Sequence, residues 1–482
     1  MAYLIFCILF LIAGYFTYAR FVEKTFGSDP GGAVPAREMA DGVDYVPLPA
    51  WKAFCIQVLN IAGLGPIFGP ILGALYGPAA LFWIVIGTIF AGAVHDYYSG
   101  MLSFRNKGAS LPEVIGKFMG MPAKMVMRVI SMVLMILVGV VFILGPANLL
   151  GSLTGLNVQL FVGCIFGYYF LASFLPVDKI IGRVYPFLGL LLLFMTVGIA
   201  AGMAFSDMHI LPSIDPIQNT HPGHLPIWPM LFITLACGAI SGFHSTQSPI
   251  MARCIVNEKK GRLVFYGGMI AEGTIALVWA TAGMSFYQSP EALYQVIQAG
   301  TPSLVVDQVC RSLLGPVGGL LAILGVIVLP ITSGDTAFRS TRLILAETFR
   351  LNQARPFNRL LLLIPLFLTA YIISTQDFQI IWRYFGWTNQ FLAMMVLWAA
   401  AIFLACSGRI HWMASLPAAF MTAVCISFIA QADIGFNLSA EFANILGVVT
   451  SLGCLFALVR YANVAGKTLT RKISDQPGSH QS

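Results

Sequence analysis

The sequence predicts an all-α polytopic membrane protein of about thirteen transmembrane helices. Three observations carry that expectation: an apolar composition along the whole chain, basic loops that alternate with loops lacking Lys and Arg, and two interrupted apolar segments at corresponding positions. Of 482 residues, 58% are hydrophobic and 10% charged, with a mean hydropathy of +0.83. A soluble protein is usually about a quarter charged. A β-barrel would show short alternating segments instead of long apolar runs. The net charge of +7 is dispersed among loops, which suits topology determinants facing the cytoplasm and speaks against a nucleic-acid partner. The nine cysteines are scattered with no Cys-x-x-Cys pair, so neither a disulfide framework nor a thiolate metal site is expected.

A helix needs roughly 20 apolar residues to cross a bilayer. In order, the candidate spans are 1–19, 51–76 (broken), 79–103, 124–150, 158–175, 183–205, 228–256 (broken), 262–286, 315–346, 357–374, 378–406, 411–430 and 441–461. Residues 1–19 have no basic n-region or small-residue cleavage site and read as a retained helix. Loops 20–52, 105–124, 179–183, 253–262, 339–359, 409–411 and 460–472 are basic, whereas 151–157, 206–227, 287–301 and 432–440 contain no Lys or Arg. This alternation places the N-terminus outside and the C-terminus in the cytoplasm. A short amphipathic helix is expected around 291–298, and 467–482 reads as a disordered polar tail.

The interruptions fall at 60–70 (Asn-Ile-Ala-Gly-Leu-Gly-Pro-Ile-Phe-Gly-Pro) and 239–249 (Ala-Ile-Ser-Gly-Phe-His-Ser-Thr-Gln-Ser-Pro). Aligned without gaps, Gly63 meets Gly242 and Pro70 meets Pro249. Hydrocarbon offers no partner to freed backbone groups, so each break must be wrapped in protein or line a wet cavity. Setting aside the first span and the last two leaves five spans and five, each set opening on a broken helix and the sets running in opposite directions. That is the 5+5 inverted-repeat plan of LeuT-type transporters. It divides the chain into 1–50 (first span and cytoplasmic loop), repeats 51–205 and 228–406, and 407–482 (two further spans and a tail).

Each break exposes a half-helix N-terminus with unpaired N–H groups and partial positive charge, good for a carboxylate. The expected substrate contacts are Gly63, Gly65, Pro66 and Gly69 at the first break, and Ser241, His244, Ser245, Thr246, Gln247 and Ser248 at the second. Pro70 and Pro249 are expected in the first turn of the half-helices, where a missing N–H costs little. His244 either binds substrate or carries a coupling proton, because imidazole titrates near physiological pH. The alternative is a neutral histidine bonded to freed carbonyls. Three acids lie at membrane depth, where an ionisable residue is a functional candidate. Glu272 has no local partner in sequence, Asp96 follows His95, and Asp335 stands one turn from Arg339, with which it would simply pair. Thr332 and Ser333 would either give oxygens to a cation or back-bond to their own helix. No Walker loop, zinc-protease spacing or haem-histidine pair is present, so no enzyme activity, metal or cofactor is expected.

With these motifs in hand, the sequence resembles the carbon starvation (CstA) family of bacterial inner-membrane transporters. The matching stretches are 60–70, 95–97, 241–253 continuing through Asn257 and Glu258, 261–273, 330–342, and 385–390, which reads Phe-Gly-Trp-Thr-Asn-Gln. The resemblance implies a LeuT-like fold of the amino acid–polyamine–organocation superfamily. It also implies uptake of small peptides or pyruvate during nutrient limitation, with proton symport. Sodium coupling and a membrane metabolite sensor that does not transport remain the alternatives.

Overall fold

The structure, a computed structural model, describes residues 2–29, 34–41, 45–173, 178–206, 215, 218–352 and 355–474, the side chains of 2, 178–186, 332, 347, 356 and 463–474 excepted. Among these, ten helices are long and apolar enough to cross a membrane, or eleven when Ala50–Ile61 and Gly65–Tyr76, bent by 52° at their break, count as one span. The other two predicted spans fall short of that length for different reasons. Val158–Ala172 has only 15 residues. The second interrupted segment never builds a continuous run: its helical pieces are Ile227–Leu231, Phe232–Thr234 and His244–Ala252.

The second break therefore lies at 235–243, earlier than the expected 239–249. The polar run Ser245-Thr246 had suggested irregular backbone. Instead, Ser245 Oγ donates to Gly242 O (2.6 Å) and Thr246 Oγ1 to Phe243 O (2.7 Å), so the hydroxyls back-bond within the first turn of a helix. The two half-helices correspond closely. Gly65–Gly73 and His244–Ala252 each have nine residues with a proline sixth, Pro70 and Pro249. The expectation that these prolines sit in the first turn is thus corrected. At the first break Pro66 takes that place, and Pro70 and Pro249 lie inside their helices. The shift that carries Gly65 onto His244 also carries Leu111, which opens the helix Leu111–Thr154, onto Pro290, which opens Pro290–Thr348.

Those two long helices are interrupted as well. Gly120 (φ 85°) separates a short helix, 111–119, from the span that follows. The sequence had read that region as loop. Gly300, Thr301 and Gly315 divide Pro290–Thr348 in the same way, leaving the expected short helix at its start. Gly120 needs its positive φ but not its small size, since an added Cβ would meet only Pro122 Cδ at 3.9 Å. Gly120→Ala is expected to lower stability by about 1–3 kcal/mol through positive-φ strain alone, since φ 85° with ψ 177° is essentially a glycine-only conformation. An unchanged melting midpoint of the detergent-purified variant would show that the turn is not needed.

The interrupted spans lie at the centre. Gly65–Gly73 packs along Gly267–Phe286, and His244–Ala252 along Ala93–Arg105. Spans 121–154 and 316–348 pack on each other, and Phe378–Cys406 bridges to Trp412–Gln431. The outer helices turn apolar side chains outward, such as Leu190, Leu193 and Val197 on one and Ile445, Val449, Leu452 and Phe456 on another. A lipid-facing surface takes this form. At one end, Leu48 N–H donates to Cys254 O (2.9 Å) in a parallel bridge with Ile255. Beside it, Arg105 grips Glu258 (2.7 and 3.1 Å), which also accepts from Asp29 N–H (2.5 Å). The final helix, Ala440–Ser474, continues into the stretch expected to be disordered. The last residues of that stretch, 475–482, lie outside the described residues.

Candidate functional site

The two breaks meet. Gly65 packs on Cys237, and a Cβ at Gly69 would stand 3.5 Å from Thr234 O and 3.6 Å from Cys237 O. At Gly65 an added Cβ would stand 2.5 Å from Cys237 Cβ, so only glycine fits there, whereas at Gly69 it would make ordinary contact. Gly63 packs against Phe142 and Gly242 against the backbone of Asn389.

The freed carbonyls of the second break are claimed mainly by one span, Phe378–Cys406. Gln390 Nε2 donates to Phe232 O (3.0 Å) and Leu235 O (3.1 Å), and Trp382 Nε1 to Thr234 O (3.2 Å). Asn389 Nδ2 donates to Ala236 O, while its Oδ1 accepts from Phe243 N–H (2.7 Å) and Ser241 Oγ (3.3 Å). Thr88 Oγ1 donates to Gly238 O (2.9 Å). A side-chain amide thus occupies the N-terminus of the second half-helix, where the sequence suggested a carboxylate. The sequence had flagged 385–390 only as part of a resemblance. Nothing local marks Asn389 and Gln390 as carbonyl partners of residues about 150 positions away.

Three of the acid and imidazole candidates converge here. Asp96, His95, His244 and Glu272 are all 0% exposed. His95 Nδ1 lies 2.8 Å from Asp96 Oδ1, and His244 Nδ1 2.8 Å from Asp96 Oδ2. His244 Nε2 is 3.1 Å from Glu272 Oε2. Each carboxylate oxygen of Asp96 thus meets a ring nitrogen, the direction of each bond being set by the histidine tautomer. The contact between His244 and Glu272 is different. It is short, yet neither Nε2 nor either carboxylate oxygen makes a hydrogen bond of ordinary angle. One proton must lie between them, on nitrogen or on oxygen, because an unprotonated nitrogen facing a carboxylate would set two acceptors against each other.

Cys237 joins this group. Its Sγ, a His244 ring nitrogen and a Glu272 oxygen lie within 4.8 Å of one another, a donor set that local spacing in the sequence did not show. Cys237 Sγ is also 3.2 Å from Ser241 Oγ.

The remaining candidates are placed as follows. Ser248 Oγ donates to His244 O and accepts from Ser99 Oγ, both at 2.9 Å. Gln247 Nε2 donates to Thr246 Oγ1 (2.9 Å). Asp335 pairs with Arg339 at 3.1 Å, and Ser333 Oγ donates to Leu329 O (3.2 Å). Both follow the simpler of the two readings. Thr332 stands in the same helix, its side chain outside the described residues.

The architecture is that of a LeuT-like membrane carrier. It matches a manganese transporter of Eremococcus coleocola (mutant H236A) with a TM-score of 0.55 at 16% identity, covering 88% of this chain and 98% of that one. It also matches Mhp1, a nucleobase-cation-symport-1 family transporter, with a TM-score of 0.52 at 14% identity, over 85% and 92%. The particular family comes from the sequence. The profile of carbon starvation protein CstA matches residues 1–152, 144–312 and 288–428, and the chain belongs to that family. An uncharacterised membrane protein of Haemophilus influenzae is 45% identical over 64% of this chain and 98% of its own. The pyruvate/proton symporter BtsT of Escherichia coli is 28% identical over 55% of this chain, and the peptide transporter CstA of Campylobacter jejuni 30% identical over 55%. This chain spans about half the length of those two, 47% of each.

Proposed function

We propose that the protein is a secondary active importer of small carboxylate-bearing nutrients, peptides or pyruvate, driven by proton symport under nutrient limitation. It belongs to the bacterial inner membrane in this reading, with the N-terminus outside and the C-terminus in the cytoplasm. One group of helices rocks against the other around the breaks. The carboxylate rests on the half-helix that opens at Gly65, beside Gly63, Pro66 and Gly69. The family and fold are those of carriers rather than enzymes, and the named relatives support the substrate class.

The observation that carries the reading is the buried array Glu272–His244–Asp96, whose members come from three different spans. A proton on its first contact can sit on either partner, so protonation and the packing of the breaks are linked. The donors beside that contact are sulfur, nitrogen and a carboxylate. Hard cations such as sodium prefer all-oxygen cages, so this set favours a proton.

The test is purified protein in liposomes given an imposed pH gradient and labelled pyruvate or dialanine. Accumulation above equilibrium that collapses with a protonophore is expected. Accumulation that follows a sodium gradient instead would transfer the coupling to sodium. Saturable binding without accumulation would make the protein a sensor.

A further inference from the structure

A second polar feature lies away from the buried array. A small cleft opens between the end of the first interrupted span, the first pieces of the second, and the start of Phe378–Cys406. Tyr76, Thr234, Trp382, Arg383 and Phe428 line it, and none of its lining residues is acidic. It belongs to the face that the charge pattern assigns to the outside. Its floor is continuous with the central site, because Trp382 Nε1 donates to Thr234 O (3.2 Å) at the point where the second break begins.

Two polar groups in the cleft are unspent. Tyr76 is 1% exposed, and its hydroxyl lies beside Thr234 without a hydrogen bond of ordinary geometry. A buried hydroxyl without a partner costs free energy unless a ligand or water supplies one. Arg383 reaches Asp433 only at 4.0 Å, and Asp433 is 84% exposed, so water largely screens that pair. The guanidinium therefore keeps both its charge and its planar donor edge. His221, whose ring packs on Tyr76 at 4.6 Å between centroids, adds no competing charge. Burial first, and then the nearby Arg383, push its imidazole down to about 4, so it is neutral at physiological pH. Gly223 N–H donates to its Nδ1 (3.0 Å), which leaves its proton on Nε2.

We propose that this cleft is an outer docking site for the carboxylate of the substrate. Arg383 takes the carboxylate as a two-toothed ion pair, Tyr76 OH donates a further hydrogen bond, and Trp382 forms the apolar wall. A cation-bearing mouth with apolar walls also concentrates anions at the entrance. This proposal deepens the importer reading and rests on it for the identity of the ligand.

The experiment compares wild type, Arg383→Gln, Arg383→Lys and Tyr76→Phe. Pyruvate is the probe and its neutral amide, pyruvamide, the control. In proteoliposomes, Arg383→Gln is expected to raise KM for pyruvate about tenfold with kcat within twofold, and Arg383→Lys to recover most of the loss. Tyr76→Phe is expected to raise KM about threefold, and pyruvamide to be indifferent to all three changes. The same ranking is expected in equilibrium binding to detergent-purified protein, read by tryptophan fluorescence. If wild type moves neither pyruvate nor dialanine, the importer reading fails, and the binding titration still decides the cleft. If Arg383→Gln does not fold, Tyr76→Phe decides it. An unchanged KM or affinity, or a loss of kcat with KM intact, would overturn the docking site.

Discussion

Glu272→Gln is expected to abolish accumulation driven by a pH gradient while sparing exchange of substrate across the membrane. Glutamine keeps the shape of the protonated acid but cannot give the proton up. It would hold the contact with His244 permanently in one state. A pH difference of one unit is worth about 1.4 kcal/mol per proton, enough for roughly tenfold accumulation in a one-to-one symport. The variant should fall to no accumulation at all, while counterflow of labelled against unlabelled substrate continues. His244 lies between two carboxylates, 2.8 Å from Asp96 and 3.1 Å from Glu272, so His244→Gln should show the same separation. Were the array only structural, Glu272→Gln would lower exchange and accumulation together, or neither. Measuring both in one liposome preparation distinguishes these cases.

Asn389→Leu is expected to be among the most destabilising single changes in the protein. The amide satisfies Phe243 N–H and Ala236 O, both buried in the break. Leucine is similar in size but offers no hydrogen bond, so two backbone groups are stranded. At ~1–3 kcal/mol for each stranded group, the loss is roughly 2–6 kcal/mol. Asn389→Asp keeps the acceptor and loses the donor, and should fall between leucine and wild type. Thermal unfolding of purified protein, followed by intrinsic fluorescence, gives the order. If leucine and aspartate are equally mild, the break is held by something other than this residue.

Much of the architecture could be read from the residues. Spans are long apolar runs, and two of them carried glycine and proline where hydrocarbon forbids irregular backbone. The acids at membrane depth stood out for the same reason, since Asp96 and Glu272 have no place there without a purpose. What the sequence could not supply was pairing across distance. Glu272 had no neighbour in its own helix, and its partner His244 comes from another span. The start of the second break was misplaced because polarity was taken for irregularity. Ser245 and Thr246 bond back to their own chain, whereas apolar residues 235–240 unwind where Gln390, Asn389 and Thr88 donate to the carbonyls of Leu235, Ala236 and Gly238. Asp335 and Ser333 show the reverse: local rules placed both, and no distant partner was needed to explain them.

The bridge between Leu48 and Ile255 ties the approach to the first interrupted helix, which begins at Ala50, to the exit of the second, which ends at Ala252. Two rods pinned together at one end and crossing at their midpoints behave as a single lever. In the importer proposed above, a tilt of either one would drag its counterpart, so the path on that side would open by swinging the yoked pair as a unit. The fulcrum would then be the crossing itself, and the proposed cargo seat the point that moves least.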